Sequence, residues 1–151
     1  MEDLPLLLRK AVLSDDLPLV KTLVSIGAQD SSCPLGNSCL HIAAGRGFFE
    51  IANFLIHRRF PQGRNVRGLT PLFLAAINKH AKTVRLLVET GSSVGLKCYL
   101  GLTILDHVET LEETSIRPEA YTPVKDILKK ARAPTSPEPK WISFEKGTTL
   151  F

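Results

Sequence analysis

The sequence predicts an all-α repeat solenoid, in which helix pairs stack side by side and short β-hairpin-like turns join each pair to the next. Two observations support this prediction. The chain repeats itself at a period of about 32 residues, and each copy carries apolar residues at helical spacing. Since units of such a solenoid are stabilised by their neighbours, the repeat also predicts a core that is continuous from one copy to the next.

Two separate parts of the repeat show the same period. Gly36–Ala44 aligns with Gly68–Ala76, and a third copy begins one period later at Gly101. The same spacing separates three apolar segments, Leu19–Val24, Ile51–Ile56 and Thr83–Val88. Two independent segments with one period indicate a true internal repeat.

Each copy is predicted to form two short helices. Thr70 is a favourable N-cap, and Pro71 suits the first position of the helix that follows. Gly91, like Gly27 in the first copy, supplies the left-handed residue that ends the second helix. Glycines also bracket residues 63–68 and 95–101, which predicts projecting turns between the pairs. The apolar stripes predict a core of nine residues: Leu40, Ala43, Ala44, Leu55, Leu72, Ala75, Ala76, Val84 and Leu87.

This pattern resembles the ankyrin repeat. The resemblance rests on Thr70–Leu72 with the alanine pair that follows, on Leu40–Ala44, and on an apolar second helix followed by glycine. It covers about residues 4–132 of a predicted domain at 1–132, with repeats at about 4–30, 36–63, 68–95 and 101–132, of which the outer two act as caps. A Pro-rich tail follows at 133–151.

The hairpin tips and the fourth copy depart from the family pattern. The first tip position, usually aspartate in the family, is Cys33, Asn65 or Cys98, and the histidine at the helix start is kept as His41 alone. We therefore expect a weaker hydrogen-bond network between hairpins, modest stability and mobile tips. The fourth copy carries an insertion near 111–120, expected as a loop. Three clustered acids are interpreted as part of a solvated loop: Glu109, Glu112 and Glu113.

Composition and length narrow the class of protein. The 151 residues are 44% hydrophobic and 23% charged, as expected for one globular domain. The apolar run Leu4–Leu8 falls far short of the roughly 20 residues of a membrane helix. Because Glu2 and Asp3 replace a basic signal-peptide start and the three cysteines are an odd number, we expect a protein of the reducing cytoplasm or nucleus.

No residue pattern in the sequence predicts catalysis. Cys33, Cys39 and His41 form C-x5-C-x-H, with Cys98 as a fourth candidate ligand, but this spacing matches no common zinc motif. The cysteines are interpreted as reduced hairpin residues. We expect a monomeric protein that is not an enzyme and that uses no metal or cofactor.

The distribution of charge along the sequence indicates the kind of partner surface that the protein favours. Residues 51–105 carry eight basic side chains and one acid, Glu89, hence a charge of +7, and we call this segment the basic belt. Its cations are Arg58, Arg59, Arg64, Arg67, Lys79, Lys82, Arg85 and Lys97. This excess favours an acidic partner surface.

The resemblance implies that hairpin tips and the inner helix face contact a protein partner, so we expect a non-enzymatic adaptor or inhibitor. The predicted contact residues are Arg46, Arg64, Val66, Arg67, Leu69, Asn78, Tyr99 and Leu102, with Leu100 beside them. One alternative is binding of nucleic acid or another polyanion through the basic belt. The belt has few aromatic side chains on which bases could stack, which favours the protein partner.

The tail offers a third hypothesis, in which the repeats only anchor a functional C-terminal segment. Thr149–Phe151 resembles a ligand of PDZ domains, which would bind Phe151 together with its carboxylate. The competing hypothesis, which we favour, is that Trp141, Ile142 and Phe144 fold back onto the repeats, because an exposed aromatic cluster would promote aggregation.

Overall fold

In a computed structural model, which describes residues 3–30 and 33–132, the chain forms four consecutive helix pairs. The first helices of the pairs are α1 (Leu4–Leu13), α3 (Cys39–Arg46), α5 (Pro71–Ile77) and α7 (Ile104–Thr114). The second helices are α2 (Leu17–Ser25), α4 (Phe49–His57), α6 (Ala81–Glu89) and α8 (Thr122–Arg132). A 3-10 turn, Pro118–Tyr121, precedes α8. The predicted all-α repeat solenoid is confirmed.

The eight helices form two layers. The first helices pack against one another in the order α1, α3, α5, α7, and the second helices in the order α2, α4, α6, α8. The two helices of each pair also contact each other, so the layers are joined within every unit. Contacts thus run from each unit to the next, which is the arrangement that the repeat predicted.

The core is the one that the apolar stripes predicted. All nine predicted core residues are buried, with at most 1% of their surface exposed. Paired alanines, Ala43–Ala44 in α3 and Ala75–Ala76 in α5, lie between these two helices and let them approach closely. Phe73 is the largest of the fully buried side chains, and its ring meets the His107 ring of the next unit edge-on at 5.7 Å.

The turn between the two helices of a pair requires a left-handed backbone at one residue. Asp15, Gly47 and Lys79 occupy this position in the first three pairs, with φ of 54°, 73° and 66°. Glycine adopts this conformation without strain. Gly47 is needed for a second reason, since a Cβ atom there would lie 2.5 Å from Nδ1 of His80. The His80 ring is held in that place because its Nε2 bonds to the carbonyl of Gly45 at 3.0 Å.

The fourth helix pair differs from the prediction. The additional residues were expected as a loop, but they lengthen α7 to 11 residues, against 7 in α5, and add the 3-10 turn. The helix continues because Ile104, Val108 and Leu111 keep the apolar spacing of a helix. The turn then places Tyr121 against the preceding unit, where its hydroxyl donates to the carbonyl of Ile77 at 3.4 Å.

The acidic residues of this insertion were also wrongly assigned to a loop. Glu109, Glu112 and Glu113 lie on α7. The Glu112 carboxylate forms an ion pair with Lys125 of α8, and this hydrogen bond raises the pKa of Lys125 above its usual 10.5. The three acids therefore lie on a helix instead of a solvated loop, and Glu112 helps to join the last two helices.

A buried histidine joins the second unit to the third. Nδ1 of His41 accepts a hydrogen bond from the backbone N–H of Ser38 at 3.2 Å, and its Nε2 donates to the carbonyl of Leu69 at 2.9 Å. These roles require the neutral imidazole. Burial lowers the pKa of His41 below its usual 6.5, although the Leu69 carbonyl acts in the opposite direction.

We expect the free energy of unfolding to decrease as the pH falls below about 6.5. In that range His41 binds a proton more readily in the unfolded state than in the folded state, because its pKa is lowered only in the folded protein. The contribution of His41 to the free energy of unfolding is therefore complete above pH 6.5, and it is lost as the pH falls through the folded-state pKa. Urea unfolding at about pH 5 and about pH 7.5 measures it. His41→Gln should remove most of this dependence, and His57→Gln, at an exposed site, should retain it.

We also expect opposite effects from two neighbouring glycines. Gly45→Ala should stabilise the protein by up to about 1 kcal/mol, because Gly45 lies inside α3 and its new Cβ would meet Leu74 at an ordinary 3.5 Å. Gly47→Ala should cost about 2 kcal/mol or more, through left-handed strain and the contact with His80. Urea unfolding compares the two, and a Gly47→Ala protein as stable as the parent would contradict the assignment.

Candidate functional site at the hairpin tips

Three turns of identical construction join the helix pairs. We call Cys33–Gly36 the first tip, Asn65–Gly68 the second tip and Cys98–Gly101 the third tip. In each tip the N–H of the final glycine donates to the carbonyl of the first residue, at 2.7, 3.0 and 2.9 Å. The N–H of that first residue donates in turn to the carbonyl of the residue just after the tip. The predicted hairpin-like turns are confirmed.

Backbone hydrogen bonds connect each tip to the next. The N–H of Val66 donates to the carbonyl of Leu35 at 3.0 Å, and the N–H of Tyr99 donates to the carbonyl of Arg67 at 3.3 Å. Since the donors and acceptors recur at equivalent positions, the three tips form one hydrogen-bonded array, which we call the tip ladder. The ladder holds the side chains of successive tips at fixed spacing.

The ladder depends on glycine where one tip covers another. A Cβ atom at Gly68, whose φ is 77°, would lie 2.8 Å from the backbone nitrogen of Tyr99. A Cβ at Gly36 would lie 3.1 Å from the nitrogen of Val66. The side chain is absent at both positions, so the following backbone can approach closely enough for the interhairpin hydrogen bond to form.

The expected weakening of the hairpin network is wrong at the second tip. Asn65 is buried, and its Oδ1 accepts hydrogen bonds from the N–H groups of Arg67 at 2.9 Å and Leu69 at 3.0 Å. Its Nδ2 donates to Oδ1 of Asn37 at 2.9 Å. Asparagine offers a carboxamide oxygen where aspartate would offer a carboxylate oxygen, and it adds a donor that reaches the preceding tip.

Most of the predicted contact residues lie on the surface. Arg64, Val66, Arg67 and Tyr99 are exposed in or beside the second and third tips, with 55% of Val66 and 68% of Tyr99 accessible. Two further predicted contacts, Arg46 at the end of α3 and Asn78 just after α5, are also exposed. The amide of Asn78 is partly occupied, since it donates to the carbonyl of Leu74 at 3.0 Å.

Two of the predicted contact residues point the wrong way. Leu69 is 9% exposed and belongs to the core, and Leu102 is half-buried against the same core. Both residues come directly after a tip glycine, where the chain turns back toward the next first helix. Their carbonyls accept the hydrogen bonds that close the tips, which directs their side chains inward.

The first tip carries an exposed apolar residue that the sequence analysis did not predict as a contact. Leu35 in the first tip is 56% exposed, at the position equivalent to Arg67 and to Leu100, which is 80% exposed. The period of the repeat carries the information that could have identified it. We call the exposed set of Leu35, Arg64, Val66, Arg67, Lys97, Tyr99 and Leu100 the tip surface.

The cations of the basic belt differ in their surroundings. Three cations lie over aromatic rings of the protein itself: Arg58 over Phe54 at 5.4 Å, Lys82 over Phe49 at 4.1 Å and Lys79 over Tyr121 at 4.9 Å. Within residues 3–30 and 33–132, no carboxylate lies within 4.0 Å of Arg64, Arg67 or Lys97. The cations of the tip surface are thus available to an external carboxylate.

The cysteines and His41 serve the fold. Both ring nitrogens of His41 are engaged in hydrogen bonds, and no group of three metal-ligating side chains occurs among the residues that the structure describes. Burial acts to raise the pKa of Cys33, but hydrogen bonds from the Asn37 backbone and Arg9 outweigh it and leave the pKa below 9.0.

None of the helices in the described part of the chain is long and apolar enough to cross a membrane. The tail residues Trp141, Phe144 and Phe151 lie outside the described residues.

We expect Gly68→Ala to destabilise the protein more than Gly101→Ala. Both glycines have a left-handed backbone, with φ of 77° and 80°, so both substitutions introduce similar strain of about 1 kcal/mol. A Cβ at Gly101 would meet nothing within 4 Å, whereas a Cβ at Gly68 would meet the Tyr99 backbone. Urea unfolding of the pair therefore measures the contribution of the ladder contact, and equal losses would show that the tips do not depend on it.

Comparisons with known proteins agree with these observations. Residues 8–98 match the family model for ankyrin repeats in three copies. An ankyrin repeat protein of Rickettsia felis is 42% identical over 90 residues, and alpha-latroinsectotoxin-Lt1a of Latrodectus tredecimguttatus is 35% identical over 89 residues. These matches cover 57% and 58% of this chain but 23% and 6% of the two relatives, so the chain spans less than a quarter of either. Since the family model matches more than half of the chain, the protein belongs to the ankyrin repeat family.

Proposed function

We propose that the tip surface binds a protein partner. The apolar side chains of the tip surface contact apolar side chains of the partner, and acidic side chains of the partner surround this contact. Ankyrin repeats are generally protein–protein interaction modules and generally lack catalytic activity. The observation that carries the proposal is the composition of the tip surface, where Val66, Tyr99 and Leu100 stand exposed beside Arg64 and Arg67. Exposed apolar side chains next to arginine are typical of the centres of protein interfaces.

The rigidity of the tips supports this proposal. Interhairpin hydrogen bonds hold the backbone at Val66 and Tyr99, so the side chains they carry are already positioned in the free protein. Binding then costs less conformational entropy than it would for flexible loops. Arginine at such a site can donate two parallel hydrogen bonds to one carboxylate, which favours Asp or Glu on the partner.

The alternative, a polyanion bound by the basic belt, has less support from the geometry. Nucleic acid binding needs cations that face outward together, and Arg58, Lys79 and Lys82 are directed onto rings of the protein. Tyr99 is the aromatic residue of the tip surface, so the surface offers one platform on which a base could stack. Leu35, Val66 and Leu100 would gain nothing from contact with phosphate.

The proposal extends to residues beside the tips, to the cellular compartment and to the oligomeric state. We place Arg46 and Asn78, at the ends of α3 and α5, at the edge of the same contact region. The free thiols of Cys33 and Cys98 support a reducing compartment, the cytoplasm or nucleus. We propose that the protein acts there as a monomeric adaptor or inhibitor.

The double variant Arg64→Glu with Arg67→Glu should lose the partner. If each arginine contributes about 1.4 kcal/mol or more to binding, the pair should weaken affinity by about a hundredfold. Affinity purification with mass spectrometry, followed by a titration of the recovered partner, measures this loss. Lys21→Glu with Arg85→Glu makes the same change in charge on exposed sites of α2 and α6 and should leave binding intact.

A salt series with duplex DNA separates the two candidate functions. DNA binding through phosphate contacts falls steeply with salt, whereas an interface with an apolar centre falls more gently. If DNA binds with a steep salt dependence and both double variants weaken it equally, the polyanion interpretation replaces the proposal.

A further inference from the structure

Among the residues that the structure describes, none covers the third tip. The carbonyls of Leu35 and Arg67 each accept a hydrogen bond from the next tip, but the equivalent carbonyl of Leu100 accepts none from the residues that the structure describes. Gly36 and Gly68 are each covered by a following backbone, and a Cβ at Gly101 would have nothing within 4 Å. The tip ladder thus ends in an open acceptor.

The other end of the ladder cannot extend it. Pro34 occupies the position equivalent to the donors Val66 and Tyr99, and proline has no N–H to donate. A second copy of the chain therefore cannot continue the ladder by placing its first tip against Leu100. The group that occupies the open end is therefore not the first tip of a second copy.

Apolar side chains are incompletely covered at the same end. Leu102 and Leu105 are half-buried, whereas their equivalents in the preceding unit, Leu69 and Leu72, are 9% and 1% exposed. The difference arises because α5 is covered by α7, and no described helix follows α7 in the layer of first helices. The last unit consequently presents the surface that a further unit would bury.

The tail contains the matching sequence. Val84 in α6 and Val124 in α8 are equivalent residues of successive units, and both side chains are fully buried. The spacing between them also relates Leu102–Ile104 to Ile142–Phe144, so that an apolar residue, a hydroxyl residue and an apolar residue recur in order. In the described copy, Thr103 caps α7 and Ile104 is buried.

We propose that Ile142–Phe144 covers the open end of the repeat array by occupying the place where a fifth unit would begin. Ile142 and Phe144 then shield Leu102 and Leu105, and Trp141 covers the third tip beside Leu100. The occupant is this segment of the chain itself, bound intramolecularly.

The length of the intervening chain permits this contact. Ser143 follows Arg132, where α8 ends, by eleven positions, and this stretch spans up to about 36 Å when extended. Neighbouring helices lie only about 8–10 Å apart, so the segment can reach the last unit. Prolines at 134, 137 and 139 favour an extended linker and reduce the entropy lost on docking.

Trp141 is the single tryptophan of the sequence and reports directly on this contact. In the full chain its fluorescence should be shifted to shorter wavelength than that of free tryptophan and protected from acrylamide. Leu100→Asp, at an 80% exposed site, should shift the emission to longer wavelength and raise the quenching constant severalfold. Val66→Asp, at a 55% exposed site on the second tip, should leave the emission unchanged, and circular dichroism verifies that both variants fold.

Removal of the tail tests the same contact without a probe. Deleting residues 134–151 should lower the melting temperature by about 4 °C or more, and Ile142→Asp should account for most of that loss. Leu150→Asp is the matched control, because it adds the same charge to the tail outside the docking segment and should leave the melting temperature unchanged.

Three results would overturn the proposal. One is emission of Trp141 in the full chain like that of free tryptophan, and another is an unchanged melting temperature after deletion. The third is a short-wavelength emission that persists in Leu100→Asp or disappears on dilution, which would place the tail elsewhere or on a second copy. None of these measurements involves the partner of the tip surface, so their failure would leave the proposed function standing. Their success would assign Leu100 to the tail and leave Val66 and Tyr99 to the partner.

Discussion

The packing of each helix pair against the next is the interaction on which the rest of the structure depends. One core cluster joins Ala44 of α3 to residues of α5 and α7, so the buried surface of a unit is completed by its neighbour. Alanine pairs in the first helices and glycine in the turns keep the units close enough for this burial. A larger side chain at these contacts would separate two units along with their tips.

Close packing of the helices also places the tips within hydrogen-bonding distance. The bonds from Val66 to Leu35 and from Tyr99 to Arg67 form because the helix pairs beneath them are stacked at that spacing. The outward side chains can then vary without loss of the fold, as Pro34, Val66 and Tyr99 show at one repeated position. A recurring backbone with variable side chains is suited to recognition, because the scaffold fixes where each side chain stands.

Electrostatics follows from the same geometry. The basic belt is one feature of the sequence, but the fold directs Arg58, Lys79 and Lys82 onto aromatic rings and leaves Arg64 and Arg67 at the tips. Cations packed against rings contribute to the fold, whereas the tip arginines retain their donors for a carboxylate. The charge of the basic belt therefore combines both kinds of cation, and only the tip arginines enter the proposed contact with an acidic partner.

Periodicity in the sequence was enough to determine the fold class, the helix pairs and the core, since a residue that recurs once per repeat on an apolar stripe is buried in each copy. The apolar spacing of Ile104, Val108 and Leu111 also recorded the helical form of the insertion, although it was expected as a loop. The inward direction of Leu69 and Leu102, the part of Asn65 in joining the tips, and the placement of the 3-10 turn were decided by the tertiary structure. The direction of a side chain beside a turn depends on which hydrogen bonds close that turn, and the placement of the 3-10 turn depends on Tyr121 meeting the carbonyl of Ile77. The contacts of Asn65 with Asn37 and of Tyr121 with Ile77 join residues that are distant in sequence, so no local pattern records them.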